Sequence, residues 1–244
     1  MNHQTRLVKS IFNQLAPTYD FLNRVLSLGQ DVSWRRFAVR KLLERKGDLF
    51  LDVAAGTCDG ALELVRVDPA VHVVAVDFTF SMLARGKVKI ARASQIDRVH
   101  LALADGLRLP FPDGSFDGAI IGFGIRNISK RRKALCEMAR VVTPGGLLVV
   151  LEFTVPDWGR FQSLYRFSLN RLLPPVGGLL SKNREAYQYL SDSIALFPCP
   201  GAFRKMMEGA GFTAVTYWPL TLGLVGVYAG KRSLTEVWGS RLQG

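Results

Sequence analysis

Residues 49–60 read LFLDVAAGTCDG, a short apolar run that passes through small residues into a segment with helical spacing. The run is too short for a helix and has the composition of a strand buried on both faces. The small residues that follow Asp52 predict a tight turn, in which a ligand can approach the backbone and the free N–H groups at a helix start. This stretch therefore predicts a strand, a turn and a helix that together hold a ligand.

The same alternation of short apolar runs and amphipathic segments continues along the chain. Strands are predicted over residues 49–55, 71–77, 99–104, 118–123, 147–153, 212–218 and 222–229. Helices are predicted over residues 59–67, 81–93, 130–142 and 200–210. This order predicts an α/β fold with a Rossmann-like, doubly wound sheet of about seven strands.

The rhythm of strands and helices is interrupted once. Residues 154–200 contain helical patterns, such as residues 161–173, but no clear strand. We therefore expect a helical insertion that acts as a lid or binds substrate. The whole of residues 1–232 is expected to be one domain, with a helical cap over residues 1–34 and a tail over residues 233–244.

Composition limits the classes of protein that the chain can belong to. Lys and Arg number 32 against 20 Asp and Glu, giving a net charge of +12. The basic clusters are expected mainly on solvated helix faces; anionic lipid headgroups and nucleic acid are the alternatives. No apolar stretch is long enough to span a bilayer, and residues 1–17 lack a signal core. We expect a cytoplasmic protein that associates with the inner, anionic face of the membrane.

Two carboxylates follow the predicted second and third strands. Asp77 comes about twenty residues after Gly56, where a carboxylate can accept hydrogen bonds from both hydroxyls of a ribose. Asp105 follows the next strand and is suited to accept a hydrogen bond from the exocyclic amine of an adenine. Because parallel strands end at the same edge of a sheet, these residues predict a nucleoside-binding site there.

Two further segments and several short motifs carry a resemblance to a known family. Residues 109–117 (LPFPDGSFD) and 140–146 (RVVTPGG) resemble the S-adenosylmethionine-dependent methyltransferases with a Rossmann-like core. More narrowly, the chain resembles the ubiquinone/menaquinone biosynthesis C-methyltransferases. The residues that carry this narrower resemblance are 19–23 (YDFLN), Ser27, Trp34, 122–128 (GFGIRNI) and 151–153 (LEF).

The resemblance implies a class I methyltransferase fold with S-adenosyl-L-methionine as cofactor and no metal. Matched position by position, it places the cofactor on Thr57, Asp77, Asp105, Gly106 and Gly122. The predicted geometry of the first turn adds Asp52 and Gly56. Two positions depart from the family pattern, because Ala55 and Cys58 stand where the family usually has glycine.

For catalysis the resemblance implies methylation of a ring carbon, which requires that a neighbouring phenolic hydroxyl lose its proton. The three histidines lie away from the predicted rim, so we expect Arg126, Asn127 and Asp59 to act on the acceptor. Arg126 would stabilise a phenolate and Asn127 would orient a hydroxyl. The alternative is structural: Arg126 pairs with Glu152, and Asn127 caps the following helix.

The acceptor implied by the resemblance is a polyprenyl quinol, with conversion of demethylmenaquinol to menaquinol favoured. Another lipophilic small molecule is the first alternative, and an RNA-binding or RNA-methylating protein is the second. The sequence disfavours nucleic acid, since it lacks an aromatic-rich binding platform. A cofactor-binding protein without catalysis is a further alternative, and self-association of the chain is compatible with the sequence.

Overall fold

The computed structural model describes residues 3–154 and 184–234. Within them the sheet has seven strands, in agreement with the prediction. The strands are β1 Leu49–Val53, β2 His72–Asp77, β3 Val99–Leu103, β4 Phe116–Gly122, β5 Val142–Phe153, β6 Phe212–Leu220 and β7 Val225–Arg232.

Helices connect and cover these strands. They are α1 His3–Leu15, α2 Tyr19–Leu26, α3 Gln30–Leu43, α4 Asp59–Val67, α5 Phe80–Arg92, α6 Arg131–Val141, α7 Arg184–Ala195 and α8 Pro200–Glu208. The helix predicted over residues 59–67 has the bounds of α4, and α5, α6 and α8 lie within two residues of their predictions. The helix predicted over residues 161–173 lies outside the described residues.

The strand order is β3-β2-β1-β4-β5-β7-β6. β1 to β5 pair in parallel, whereas β7 is antiparallel to both of its neighbours. The order reverses between β1 and β4, which leaves a crevice beyond the carboxyl ends of these strands. The predicted doubly wound fold is confirmed, and the reversed β7 makes the sheet mixed.

The sheet is buried on both faces, which explains its continuous apolar runs. Leu51 and Val53 of β1 pack toward α6 and α8, while Phe50, which precedes Leu51, packs toward α3 and α4. All three side chains are at most 1% exposed. Burial of each contributes roughly 1.5–3 kcal/mol, so the position of β1 in the centre of the sheet is strongly determined.

The first two helices lie over the carboxyl edge of the sheet, and we call α1 and α2 the N-terminal cap. Asn13 of α1 accepts a hydrogen bond from Ser81 at the start of α5. On the other side, the indole N–H of Trp34 in α3 donates to Thr221 before β7 (2.8 Å). Within residues 3–154 and 184–234, no helix combines the length and apolar character that a membrane crossing requires.

Candidate active site

The turn between β1 and α4 has an unusual backbone. Ala54, Gly56 and Cys58 all have positive φ, at 53°, 56° and 66°. For a residue with a Cβ atom this conformation costs roughly 1–2 kcal/mol. Within this turn the N–H of Ala55 donates to the carbonyl of Val76 (2.9 Å), and the N–H of Cys58 donates to the carbonyl of Ala55 (2.8 Å). The turn is therefore held against β2 by its own backbone.

Asp77, the last residue of β2, fixes this turn from the neighbouring strand. One carboxylate oxygen accepts the N–H of Gly56 (2.9 Å), and the other accepts the N–H of Thr79 (2.8 Å). Burial raises the pKa of Asp77, and these backbone hydrogen bonds oppose that rise. The carboxylate is therefore held in place on the edge of the crevice.

A cavity opens beside Asp77, and we call it the rim cavity. It encloses about 850 Å³, part of it open to solvent, and its walls include Asp77, Phe78, Asp105, Gly106 and Gly122. The structure thus brings together the acidic residues that follow β2 and β3, as the parallel arrangement of these strands predicts.

Gly122 lines the rim cavity, and its lack of a side chain leaves space open there. No atom of the described residues lies within 4 Å of the position that a Cβ atom on Gly122 would occupy. A side chain there would project into open space that a ligand can use. Together with the carboxylates of Asp77 and Asp105, this opening fits a nucleoside with a ribose and an exocyclic amine.

A second, smaller cavity lies on the other side of Gly56, and we call it the polar cavity. Its walls include Asp52, Thr57 and Asp59, together with Arg35 of α3. Asp52 accepts the N–H of Ala61 (2.8 Å). Burial raises its pKa from 3.8 to about 7. Gly56 and Gly122 line both cavities, so the predicted cofactor-binding residues surround two connected spaces.

Asp59 lies in the polar cavity, at the start of α4. Its carboxylate forms ion pairs with Lys89 of α5 and with Arg35 (3.7 Å). It is not among the residues that line the two larger cavities of the described chain. The role of Asp59 in catalysis therefore stays a prediction, and the structure places it among basic side chains.

The largest of these three cavities, which we call the helix cavity, has about 1,340 Å³ of space, again partly open. It lies between the N-terminal cap, α3 and α7, and most of its walls are apolar. It shares four wall residues with the rim cavity, namely Phe12, Tyr19, Phe123 and Asn127. The two cavities therefore adjoin, with one predominantly apolar and the other edged by carboxylates.

Arg126 lies at the wall of the helix cavity and pairs with Glu152 at the end of β5. The guanidinium donates to the carboxylate at 2.6 Å and to the carbonyl of Phe123 at 2.7 Å. Both charged groups are buried. The pairing that the sequence offered as an alternative is thus present. Among the described residues, none accepts a hydrogen bond from Arg126 Nε.

Asn127 occupies the shared wall of the two larger cavities. Its side-chain amide donates to the carbonyl of Phe123 (3.3 Å), and its oxygen accepts the hydroxyl of Tyr189 (3.1 Å). The alternative that Asn127 caps α6 is wrong, because Lys130 occupies the N-cap position. Asn127 instead connects the short 3₁₀ turn after β4 to α7.

Three residues of the site were missed by sequence reasoning. Tyr189 comes from the helical insertion, whose placement no local pattern determines. Arg35 and Lys89 belong to basic clusters that predict solvated helix faces. One sequence pattern could have indicated the role of Lys89. Ser81, Arg85 and Lys89 are spaced four residues apart and therefore share one face of α5.

His72 and His100 do not line any of these three cavities. His72 is the first residue of β2, and its ring stacks on that of His100 in β3, with centroids 6.3 Å apart. Within residues 3–154 and 184–234, no group of three His, Cys, Asp or Glu side chains could hold a metal ion. The polar groups at the carboxyl edge include carboxylates, hydroxyls, an amide and basic side chains.

The sheet order, the glycine-containing turn and the carboxylates after β2 and β3 define a class I methyltransferase fold. A Thermotoga maritima structure described as a SAM-dependent methyltransferase matches this fold with a TM-score of 0.65 and 17% identity. The match covers 92% of this chain and 99% of that one.

The family follows from the sequence comparisons. The model of the ubiE/COQ5 methyltransferase family matches residues 1–232, and the chain belongs to this family. It is 47% identical over 222 residues to the demethylmenaquinone methyltransferase of Thermus thermophilus, covering 91% of this chain and all of that one. It is 45% identical over 226 residues to the ubiquinone/menaquinone biosynthesis C-methyltransferase UbiE of Geotalea daltonii, covering 92% of this chain and 96% of that one.

Proposed function

We propose that this protein uses S-adenosylmethionine to methylate a ring carbon of a polyprenyl quinol, converting demethylmenaquinol to menaquinol. The observation that carries this proposal is the pair of adjoining cavities that share Phe12, Tyr19, Phe123 and Asn127. One cavity fits a nucleoside and the other fits an apolar molecule. The names of the relatives at 45–47% identity support the same reaction.

The residues at the carboxyl edge fit the proposed cofactor. Asp77 would accept hydrogen bonds from ribose hydroxyls, Asp105 would receive the amine of the adenine, and Gly106 and Gly122 would leave room for them. When bound, S-adenosylmethionine supplies an activated methyl group, because its sulfonium becomes a neutral thioether. Asp52, Thr57 and Gly56 surround the connected polar space, where the charged amino-acid end of the cofactor would lie.

The chain's own task is to orient the acceptor and to favour its ionised form. Arg126 lies in the wall of the helix cavity, and its guanidinium would stabilise a developing phenolate there. Asn127 can orient a ring hydroxyl at the boundary of the two cavities. Glu152 holds the guanidinium of Arg126 in the wall of the helix cavity through a buried ion pair.

The apolar walls of the helix cavity suit the prenyl tail. Ile11, Leu15 and Leu22 come from the N-terminal cap, and Leu190 and Ile194 come from α7. Transfer of such a tail from water is favourable by about 25 cal/mol for each Å² of buried apolar surface. Membership of the methyltransferase family and this apolar lining do not favour the RNA alternative.

An apolar acceptor of this kind resides in a membrane, and we propose that the N-terminal cap touches the anionic surface at the inner face. Leu26 and Ser27 line the helix cavity, and Leu28, the next residue, is 86% exposed. Phe21, which lies in α2, is 62% exposed. These two apolar side chains, with the net charge of +12, support binding to vesicles that contain anionic lipid. Replacing both with Ser should weaken sedimentation with such vesicles and leave cofactor binding unchanged.

The reaction is tested with methyl-labelled S-adenosylmethionine and demethylmenaquinol in mixed vesicles, followed by extraction of the lipid. Label in menaquinol is expected for the wild-type protein. Arg126→Met should lower kcat at least a hundredfold, whereas Arg132→Met, an exposed arginine on α6, should retain it. A protein that binds the cofactor but leaves the quinol unlabelled, or that labels RNA, contradicts the proposal.

A further inference from the structure

One face of α5 holds the N-terminal cap at three successive points. Ser81 donates to Asn13 of α1 at 2.6 Å. Arg85 donates to the backbone carbonyls of Ala16 and Pro17, at 2.6 and 2.8 Å. The three points of contact follow the cap from α1, through the connecting turn, to α2, where the third member of this face, Lys89, makes its contacts.

Lys89 differs from Ser81 and Arg85 because it contacts the turn after β1 and the start of α4 as well as the N-terminal cap. Its ammonium group donates to Asp20 of α2 at 2.8 Å and to the hydroxyl of Thr57 at 3.1 Å, and it pairs with Asp59. The Thr57 hydroxyl in turn donates to Asp20 at 2.5 Å. These four residues, the Lys89 network, join α2, α5 and the turn after β1.

The Lys89 network is partly shielded from water. The side chains of Lys89, Asp20 and Asp59 are 25%, 43% and 29% exposed, and Thr57 is buried. Burial alone would raise the pKa of Asp20, but the hydrogen bonds from Lys89 and Thr57 hold it below its usual value. A network of this kind contributes more than an isolated surface ion pair.

The Lys89 network fixes the position of Tyr19, the residue before Asp20. Tyr19 lines the rim cavity, the polar cavity and the helix cavity. Its position over the site depends on how α2 lies against the turn that contains Gly56 and Thr57. Asp20 forms hydrogen bonds with Thr57 and Lys89, and these bonds join α2 directly to that turn and to α5.

We propose that Lys89 is a positioning residue that couples docking of the N-terminal cap to the conformation of the cofactor-binding turn. This inference rests on the proposed function, in which that turn contacts S-adenosylmethionine. A bound cofactor that orders the turn then stabilises the docked cap, and a docked cap raises cofactor affinity by the same factor. Lys89 itself touches neither the rim cavity nor the helix cavity.

The test compares Lys89→Met with Lys87→Met, which removes the same charge from an exposed position on the same helix. Hydrogen exchange of the amides of residues 6–26 is measured without cofactor, and affinity for S-adenosylhomocysteine is measured by calorimetry. In Lys89→Met we expect exchange in the cap and the dissociation constant each to rise about tenfold. Lys87→Met should match the wild type, and Lys89→Arg should restore most of the difference.

The amides of β4 serve as a control for a general loss of stability. If the substitution acts only on the N-terminal cap, these amides should exchange at the wild-type rate. If Lys89→Met does not fold, Asp20→Asn tests the same network, with the exposed Asp97→Asn as its control. The KM for the cofactor should rise in either variant while kcat changes less. Unchanged cap exchange in the cofactor-free Lys89→Met or Asp20→Asn protein overturns the inference, whereas failure of the wild type to bind S-adenosylhomocysteine overturns the proposed function instead.

Discussion

The Sγ atom of Cys58 occupies the space that a Cβ atom on Gly86 would need. Cys58 is fully buried at the start of α4, in a left-handed conformation that favours glycine. Gly86 lies in the middle of α5, where glycine costs about 1 kcal/mol relative to alanine. The absence of a side chain at Gly86 therefore accommodates the cysteine that departs from the family pattern.

This relationship predicts the behaviour of a double mutant. Gly86→Ala alone should lower the free energy of unfolding by about 1–3 kcal/mol, because the added methyl overlaps the sulfur. The same substitution combined with Cys58→Gly should be close to neutral, since the glycine relieves the left-handed strain and vacates the space. Urea unfolding of the four proteins of this cycle measures the coupling. Additive effects of the two substitutions would contradict it.

The arrangement of the rim was predictable from the sequence because it follows from topology. Asp77 and Asp105 end neighbouring parallel strands, so their proximity required only that the strands be recognised. The direction of β7 was not predicted, because the reversal depends on the short Thr221–Gly223 turn after β6. In that turn Leu222 adopts a positive φ of 56°, which no residue preference indicates.

The contacts of the cap could not be predicted in the same way. Lys89 lies in a basic cluster, and only the docked position of α2 shows that it faces Asp20. Tyr189 reaches Asn127 from a helical insertion, whose position depends on tertiary packing and not on local periodicity. Arg126 had two interpretations because a buried arginine can both pair with Glu152 and face a cavity, and the structure places it where it does both.

Asp77→Asn should weaken binding of S-adenosylmethionine about 30- to 100-fold. The amide group cannot accept both backbone hydrogen bonds that Asp77 receives from Gly56 and Thr79, nor can it offer a charged acceptor to two hydroxyls. The free energy of unfolding should change less than the free energy of cofactor binding, because the substitution also removes the cost of burying a charge. Calorimetry with the Asp97→Asn protein as control measures the difference. Equal affinity in both proteins would remove Asp77 from the cofactor site.

Substitutions of Arg126 and Glu152 should affect the stability and the activity of the protein in different ways. Glu152→Gln or Arg126→Met alone should lower the free energy of unfolding by about 2–4 kcal/mol, because each leaves a buried charge without its partner. The double substitution should recover much of that stability and yet keep the low kcat of Arg126→Met, since the guanidinium proposed to stabilise the phenolate is absent. Denaturation and the labelled-quinol assay test the two parts. An active double mutant would show that Arg126 has only a structural role.

Asp52 should make stability depend on pH. Burial raises its pKa from 3.8 to about 7 in the folded protein, so the folded state binds the proton more tightly than the unfolded state. The contribution of Asp52 to stability is therefore fully present below pH 4, declines from pH 4 to pH 7, and stays at its lowest value above pH 7. Asp52→Asn keeps an oxygen that can accept the N–H of Ala61 and removes the cost of the charge. The variant should be more stable than the wild type by about 4 kcal/mol at pH 8, because each pKa unit between 3.8 and about 7 corresponds to about 1.4 kcal/mol, and it should have little advantage at pH 4. Thermal unfolding at a series of pH values, with Asp97→Asn as control, measures this difference, and parallel curves for Asp52→Asn and the wild type would contradict the prediction.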